Sequence, residues 1–157
     1  MVMLVAVASR RGRVVDKAAA IIKQHEGCRL TVYKDAAGYP TIGYGHKLLP
    51  GERFTTISQA QAEALLLADL GRIRAAVMPR VRVALMDNEW AAVLSFAFNV
   101  GDGAFGRSSL LKFLNVGNKA AAAAEFMKWN KATIGGKRVV VAGLDSRRRQ
   151  EKALFVA

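Results

Sequence analysis

Twelve carboxylates occur in this 157-residue chain, and two of them stand where their surroundings should differ. Glu26 closes a helical segment just before Gly27, and Asp35 follows nine residues later, where a short strand enters the turn Asp35-Ala36-Ala37-Gly38. A helix C-terminus carries partial negative charge and disfavours a second one. Shielding by a neighbouring hairpin would add to that effect, so Glu26 is expected to hold a proton and serve as a general acid. Asp35, in a wetter turn, is expected to stay ionised. Two carboxylates held in unlike states are the pattern used in glycoside hydrolysis. Thr41 lies six residues after Asp35 on the return strand. If the hairpin closes across Gly38, its hydroxyl lies near Asp35 and could help hold a water molecule. The same residues also fit a purely structural role, because Asp is common in turns, where its side chain bonds the backbone.

Other chemistries find little support. There is no G-x-S-x-G elbow and no H-E-x-x-H. His25 and His46 lack helical metal-ligand spacing, so no metal and no cofactor are expected. Gly43-Tyr44-Gly45-His46 is followed by no Lys-Ser/Thr and opens no helix, so it is not a phosphate loop. The single cysteine, Cys28, excludes a disulfide scaffold and a paired-cysteine zinc site.

Positioning the carboxylates requires particular elements. Val15, Ala18, Ala19, Ile22 and His25 recur at helical spacing, which predicts a helix over Val14–His25 with Gly27 at its C-cap. Leu30–Lys34 and Pro40–Tyr44 read as a hairpin, with a third strand near Arg53–Thr56. Ser58 and Gln61 form a capping-box pattern opening a long helix that Pro79 ends. Asp87 is a candidate cap for a helix apolar almost all round, the expected centre of the core, which Asn99-Val100-Gly101-Asp102-Gly103 breaks. Ser108 and Asn118 open two further helices, residues 133–143 are ambiguous, and a basic helix is expected over Leu144–Leu154. The fold class is therefore α+β. A basic and apolar segment, 1–13, precedes one domain, 14–157, built from a small α+β lobe (14–57) and a helical lobe (58–157) joined by the long helix. A cleft between lobes is the default place for a ligand.

Hydrophobic residues make up 52% of the chain, which excludes a disordered tail. The 24 basic side chains exceed the acids by 12, and the excess sits at the two ends: net +4 over 1–25, +1 over 26–100 and +7 over 101–157. Such a surface suits polyanions. No nucleic-acid recognition motif accompanies it, so no specific nucleic acid is expected. The apolar run Met1–Ala8 is too short to span a bilayer, and its positive residues follow it where those of a signal peptide precede. Arg147-Arg148-Arg149 and Lys152 share a helix with Leu144, Leu154 and Phe155. That combination supports an alternative reading, a cationic protein that disrupts membranes or binds an anionic envelope through its C-terminal helix.

Three stretches taken together carry a resemblance: Glu26-Gly27-Cys28-Arg29-Leu30, then Tyr33-Lys34-Asp35, then Gly38-Tyr39-Pro40-Thr41-Ile42-Gly43-Tyr44-Gly45-His46. Their order and spacing resemble the active-site segment of the phage-type lysozymes, the bacteriophage endolysins of glycoside hydrolase family 24. Ala97–Gly101 with Ser108–Leu111, Trp129–Lys131 and Gly143–Arg148 resemble later parts of that family, so the likeness runs from about Val14 to Phe155.

The resemblance implies a lysozyme-like fold and hydrolysis of the β-1,4 bond between N-acetylmuramic acid and N-acetylglucosamine in peptidoglycan, leading to lysis of the host cell. It assigns the acid role to Glu26 and the positioning or activation of water to Asp35, assisted by Thr41. By position, Phe98 and Ser109 match residues lining the saccharide cleft, and His46 matches a structural histidine. It further implies a monomer that waits in the host cytoplasm and reaches the wall through a membrane pore made by another protein. Cys28 departs from the usual residue at its place, and as a lone cysteine it is expected to be a small packing residue.

Overall fold

A computed structural model describes residues 2–157, with side chains from Arg10 onward. The first helix, α1, covers Val2–Glu26 and so begins well before the expected Val14. No proline interrupts residues 1–13, and Val14 is the first buried residue among those whose side chains are described. Gly27, at φ +66°, turns the chain out of the helix.

A three-stranded antiparallel sheet follows, in the order β1 (Arg29–Lys34), β2 (Pro40–Gly43) and β3 (His46–Lys47). The hairpin closes across Gly38 as expected, with Lys34 opposite Pro40 and Tyr33 opposite Thr41. The third strand is not the one expected at Arg53–Thr56. Gly43 and Gly45, both at positive φ, fold the chain back so tightly that His46 pairs with Ile42 at once. Of the expected stretch only Thr56 touches the sheet, in an isolated bridge to Thr31.

Ser58 caps α2 (Gln59–Val77) through the full capping box, and a 3-10 turn at Met78–Arg80 containing Pro79 ends it. This helix runs from the sheet to the helical body, packing on β2 and β3 at one side and on α3 at another. Helix α3 (Asp87–Val100) is the core element, with Ala91 through Ala97 buried without a break. Its N-cap is Met86, one residue before the expected Asp87; Asp87 instead receives the Arg10 guanidinium at 2.7 Å. Gly101, at φ +92°, stops α3, and a short α4 (Asp102–Arg107) forms at once where only a break was expected. Ser108 caps α5 (Ser109–Asn115) and Asn118 caps α6 (Lys119–Glu125), each by accepting a backbone N–H.

The ambiguous stretch proves to be a second hairpin, β4 (Lys131–Ile134) with β5 (Lys137–Val140), turned by Gly135 and Gly136 at positive φ. The last helix, α7 (Ala142–Val156), packs along α3 and reaches α1. Phe96 sits at the centre, with the rings of Phe126, Trp129 and Phe105 edge-on at 5.5, 5.4 and 6.4 Å.

Candidate active site

Glu26, the last residue of α1, reaches a cleft of about 510 Å³. Strands β1 to β3 line one side of it with Tyr33, Asp35, Thr41, Gly45 and Lys47. Helix α2 contributes Asp69, Arg72 and Ile73, and the end of α3 contributes Phe98 to Gly101. The turn between β2 and β3 comes so close that a Cβ at Gly45 would lie 3.1 Å from Glu26 Oε2. The φ of +74° favours glycine at 45, and any larger residue would also press on the Glu26 carboxyl.

A contact absent from the sequence reading decides the surroundings of Glu26. Arg147 Nη1, from the distant α7, donates to Glu26 Oε1 at 2.8 Å.

Asp35 has a different cradle. The backbone N–H groups of Ala37 and Tyr39 both donate to Oδ1 at 2.9 Å, and Lys47 Nζ stands 3.6 Å from Oδ2. The Tyr39 N–H above all, with the Ala37 N–H and Lys47, holds this carboxyl below the usual aspartate range against the opposing effect of burial. Asp35 is thus ionised at neutral pH, as the turn position predicts. The Thr41 hydroxyl is buried and donates to the Tyr39 carbonyl at 2.9 Å. That same carbonyl accepts the Asp35 N–H at 2.9 Å, which ties Thr41 to the turn that presents Asp35. With its hydrogen used, the hydroxyl offers only lone pairs. Burial pushes the Tyr33 phenol up, with Glu26 adding to the shift.

The structure therefore brings Glu26, Asp35, Thr41 and Phe98 into one cleft. Ser109 is not among the residues lining this cleft; it is exposed on the first turn of α5. Sequence reasoning also missed Arg147, which it counted only among the basic residues of the C-terminal helix. The signal was present: Leu144, Arg148, Glu151 and Phe155 follow helical spacing, so a charge pair lies within the apolar stripe. Arg147 and Arg148 are buried and paired with Glu151, and Arg149 bonds Asp145 at 2.6 Å. Of the three arginines expected on a basic C-terminal face, two are therefore internal, and the third is exposed and paired with Asp145.

His46 braces the sheet against α2 beside the cleft. Its Nδ1 lies 2.9 and 3.0 Å from the two Asp69 oxygens, and its Nε2 lies 2.8 Å from Glu52 Oε2. Burial lowers its proton affinity, but the contacts with Glu52 and Asp69 outweigh this and raise it above the ordinary histidine value. A raised folded value means that the stabilisation is full below the unfolded value of about 6.5 and is lost as pH rises through the folded one. Thermal unfolding should show this directly. His46→Asn is expected to lower Tm by several degrees at pH 5.5 and by clearly less at pH 9; an equal loss at both values would contradict the charged pairing.

A cleft of this build on a small sheet and a helical body is the architecture of a lysozyme. The phage lysozyme family model matches residues 23–151. The endolysin of Acyrthosiphon pisum secondary endosymbiont phage 1 is 46% identical over 89% of this chain and 95% of its own length. The endolysin of Bacillus phage PZA is 44% identical over 86% of this chain, which spans only 52% of that longer protein. Among solved structures, the muramidase domain of SpmX from Asticaccaulis excentricus superposes with a TM-score of 0.82 at 36% identity, covering 89% of this chain and 95% of that one. The chain belongs to the phage lysozyme family, and it is a peptidoglycan-lytic enzyme.

Proposed function

We propose that this enzyme is an endolysin that hydrolyses the β-1,4 bond between N-acetylmuramic acid and N-acetylglucosamine and so lyses its bacterial host. The observation that carries this reading is the pair of carboxylates in one cleft, each held by its own donors: Glu26 by a guanidinium, Asp35 by two backbone N–H groups. Glu26 gives its proton to the glycosidic oxygen as the C1–O bond breaks. The carboxylate that remains is stabilised by Arg147, whose charge favours the state formed in the transition state more than the starting acid. Asp35 accepts a proton from the attacking water. Thr41, with only lone pairs free, accepts the second hydrogen of that water and fixes its orientation. Phe98 supplies an apolar wall for a sugar ring.

Arrival at the wall belongs to the same proposal: the enzyme waits in the host cytoplasm and passes through a membrane pore made by another protein. No helix among the described residues is long and apolar enough to cross a membrane. Disruption of membranes by the C-terminal helix finds little support, because two of its three arginines are turned inward and the third is paired with Asp145.

Digestion of purified peptidoglycan tests the bond. Hydrolysis at muramic acid yields fragments with a reducing N-acetylmuramic end. A reducing N-acetylglucosamine end or an anhydro-muramic end would each show that the enzyme cuts differently.

A further inference from the structure

Behind the cleft lies a charge cluster closed to water. Glu151 and Arg148 are 0% exposed and Arg147 3%. Burying such groups is a poor route to stability, since well-packed apolar residues often do as well or better. The geometry suggests another use. Arg147 Nε donates to Glu151 Oε1 at 3.2 Å, Nη2 to the Ser95 carbonyl at 3.2 Å, and Nη1 to Glu26 at 2.8 Å. Ser95 Oγ donates to the same Glu151 oxygen at 2.7 Å, and Arg148 Nη2 does so at 3.1 Å. Arg148 Nε stands 2.8 Å from Glu151 Oε2 without hydrogen-bond alignment, which leaves Arg148 Nε and Nη1 and that oxygen unbonded. The guanidinium is a rigid planar fork. Two points of attachment, at Glu151 and Ser95, therefore decide where its third nitrogen is aimed.

We propose that Glu151 is a positioning residue for the catalytic acid: its buried carboxylate orients Arg147 and balances the charge, so that one guanidinium nitrogen is presented to Glu26. This rests on the reading of Glu26 as the acid. The charged groups engaged are Arg147 and Arg148 on α7 and Glu26 on α1; α3 adds the Ser95 hydroxyl and the Asn99 amide, which accepts from Arg148 at 3.0 Å. Burial pushes the Glu151 carboxyl up, while Arg148, Ser95 and Arg147 oppose that shift. Two guanidiniums thus face two carboxylates. Removing the charge of Glu151 leaves an excess positive charge beside Glu26, which favours the ionised and inactive acid.

Glu151→Gln tests this by the kinetics of hydrolysis of soluble peptidoglycan fragments across pH. The expected result is kcat lowered about tenfold with KM unchanged, and the alkaline limb of the kcat profile moved about one unit to lower pH. A residue that only supports the fold would lower Tm and leave the limb of the folded enzyme in place. If Glu151→Gln does not fold, Arg148→Met with Glu151→Met removes one charge of each sign and keeps the volume. That double variant is expected to lose kcat through a misdirected Arg147 while the limb stays put, and wild-type kcat in it would overturn the proposal. Glu26→Gln run alongside separates the two readings. An active Glu26→Gln removes the acid itself, and with it any role for Glu151. An inactive one beside an unshifted Glu151→Gln removes the role of Glu151 alone.

Discussion

Replacing Glu26 by glutamine is expected to lower the rate of peptidoglycan hydrolysis by about a thousandfold or more, with the fold retained. The carboxamide is nearly isosteric and its oxygen can still accept from Arg147 Nη1, so the contact across the cleft persists. What is lost is a transferable proton. Without it the leaving sugar must depart as an alkoxide, a far poorer leaving group than the protonated alcohol. Because the interaction removed matters only in the transition state, KM should change little while kcat falls. Turbidity clearing of outer-membrane-permeabilised cells, with circular dichroism to confirm folding, is the check. A folded variant that keeps more than a tenth of wild-type activity would mean that the acid lies elsewhere.

The largest expected effect on stability is at Phe96. Its ring is wholly buried, meets Phe105, Phe126 and Trp129 edge-on, and lies 5.0 Å from the Arg148 guanidinium. Phe96→Ala removes the ring from the middle of the core, where the surrounding helices cannot all collapse into the space. Such truncations cost about 3–5 kcal/mol, or roughly 6–20 °C in Tm at this chain length. The loss should exceed that of any exposed apolar residue, for example Val116→Ala, and Phe96→Leu should recover part of it. A shift of Tm below about 3 °C for Phe96→Ala would show that α3 is not the centre of the fold. The same truncation loosens the seat of Arg148, so some loss of activity below Tm is expected as well.

Much of the site was legible because it is local. Glu26, Asp35 and Thr41 fall within sixteen consecutive residues, and their placement depends on a helix end, a turn and a short hairpin. Each of these is written in nearby residue types: Gly27 after the helix, Asp35 to Gly38 in the turn, Gly43 and Gly45 at the next. The caps at Ser58, Ser108 and Asn118 were legible for the same reason, since each satisfies a backbone donor three residues on. The third strand was misplaced because β-propensity near Arg53–Thr56 competes with a turn so tight that pairing is complete at His46. Ser109 was placed by likeness of position alone, and it stands exposed on α5, apart from the residues that line the cleft.

By itself, then, the sequence determined the chemical parts and their local frame: two carboxylates of unlike setting, a hydroxyl, and the turns that present them. Only the tertiary structure decided their electrostatics. Arg147 reaches Glu26 across 121 positions of chain, and it is aimed there by Glu151 and by the Ser95 carbonyl on a third helix. His46 is set between Asp69 on α2 and Glu52 in a loop. The physical reason is one of range. Turn and cap chemistry acts over a few residues, whereas the charge state of a group depends on every dipole and ion packed around it, and those arrive from elements that the chain brings together only on folding.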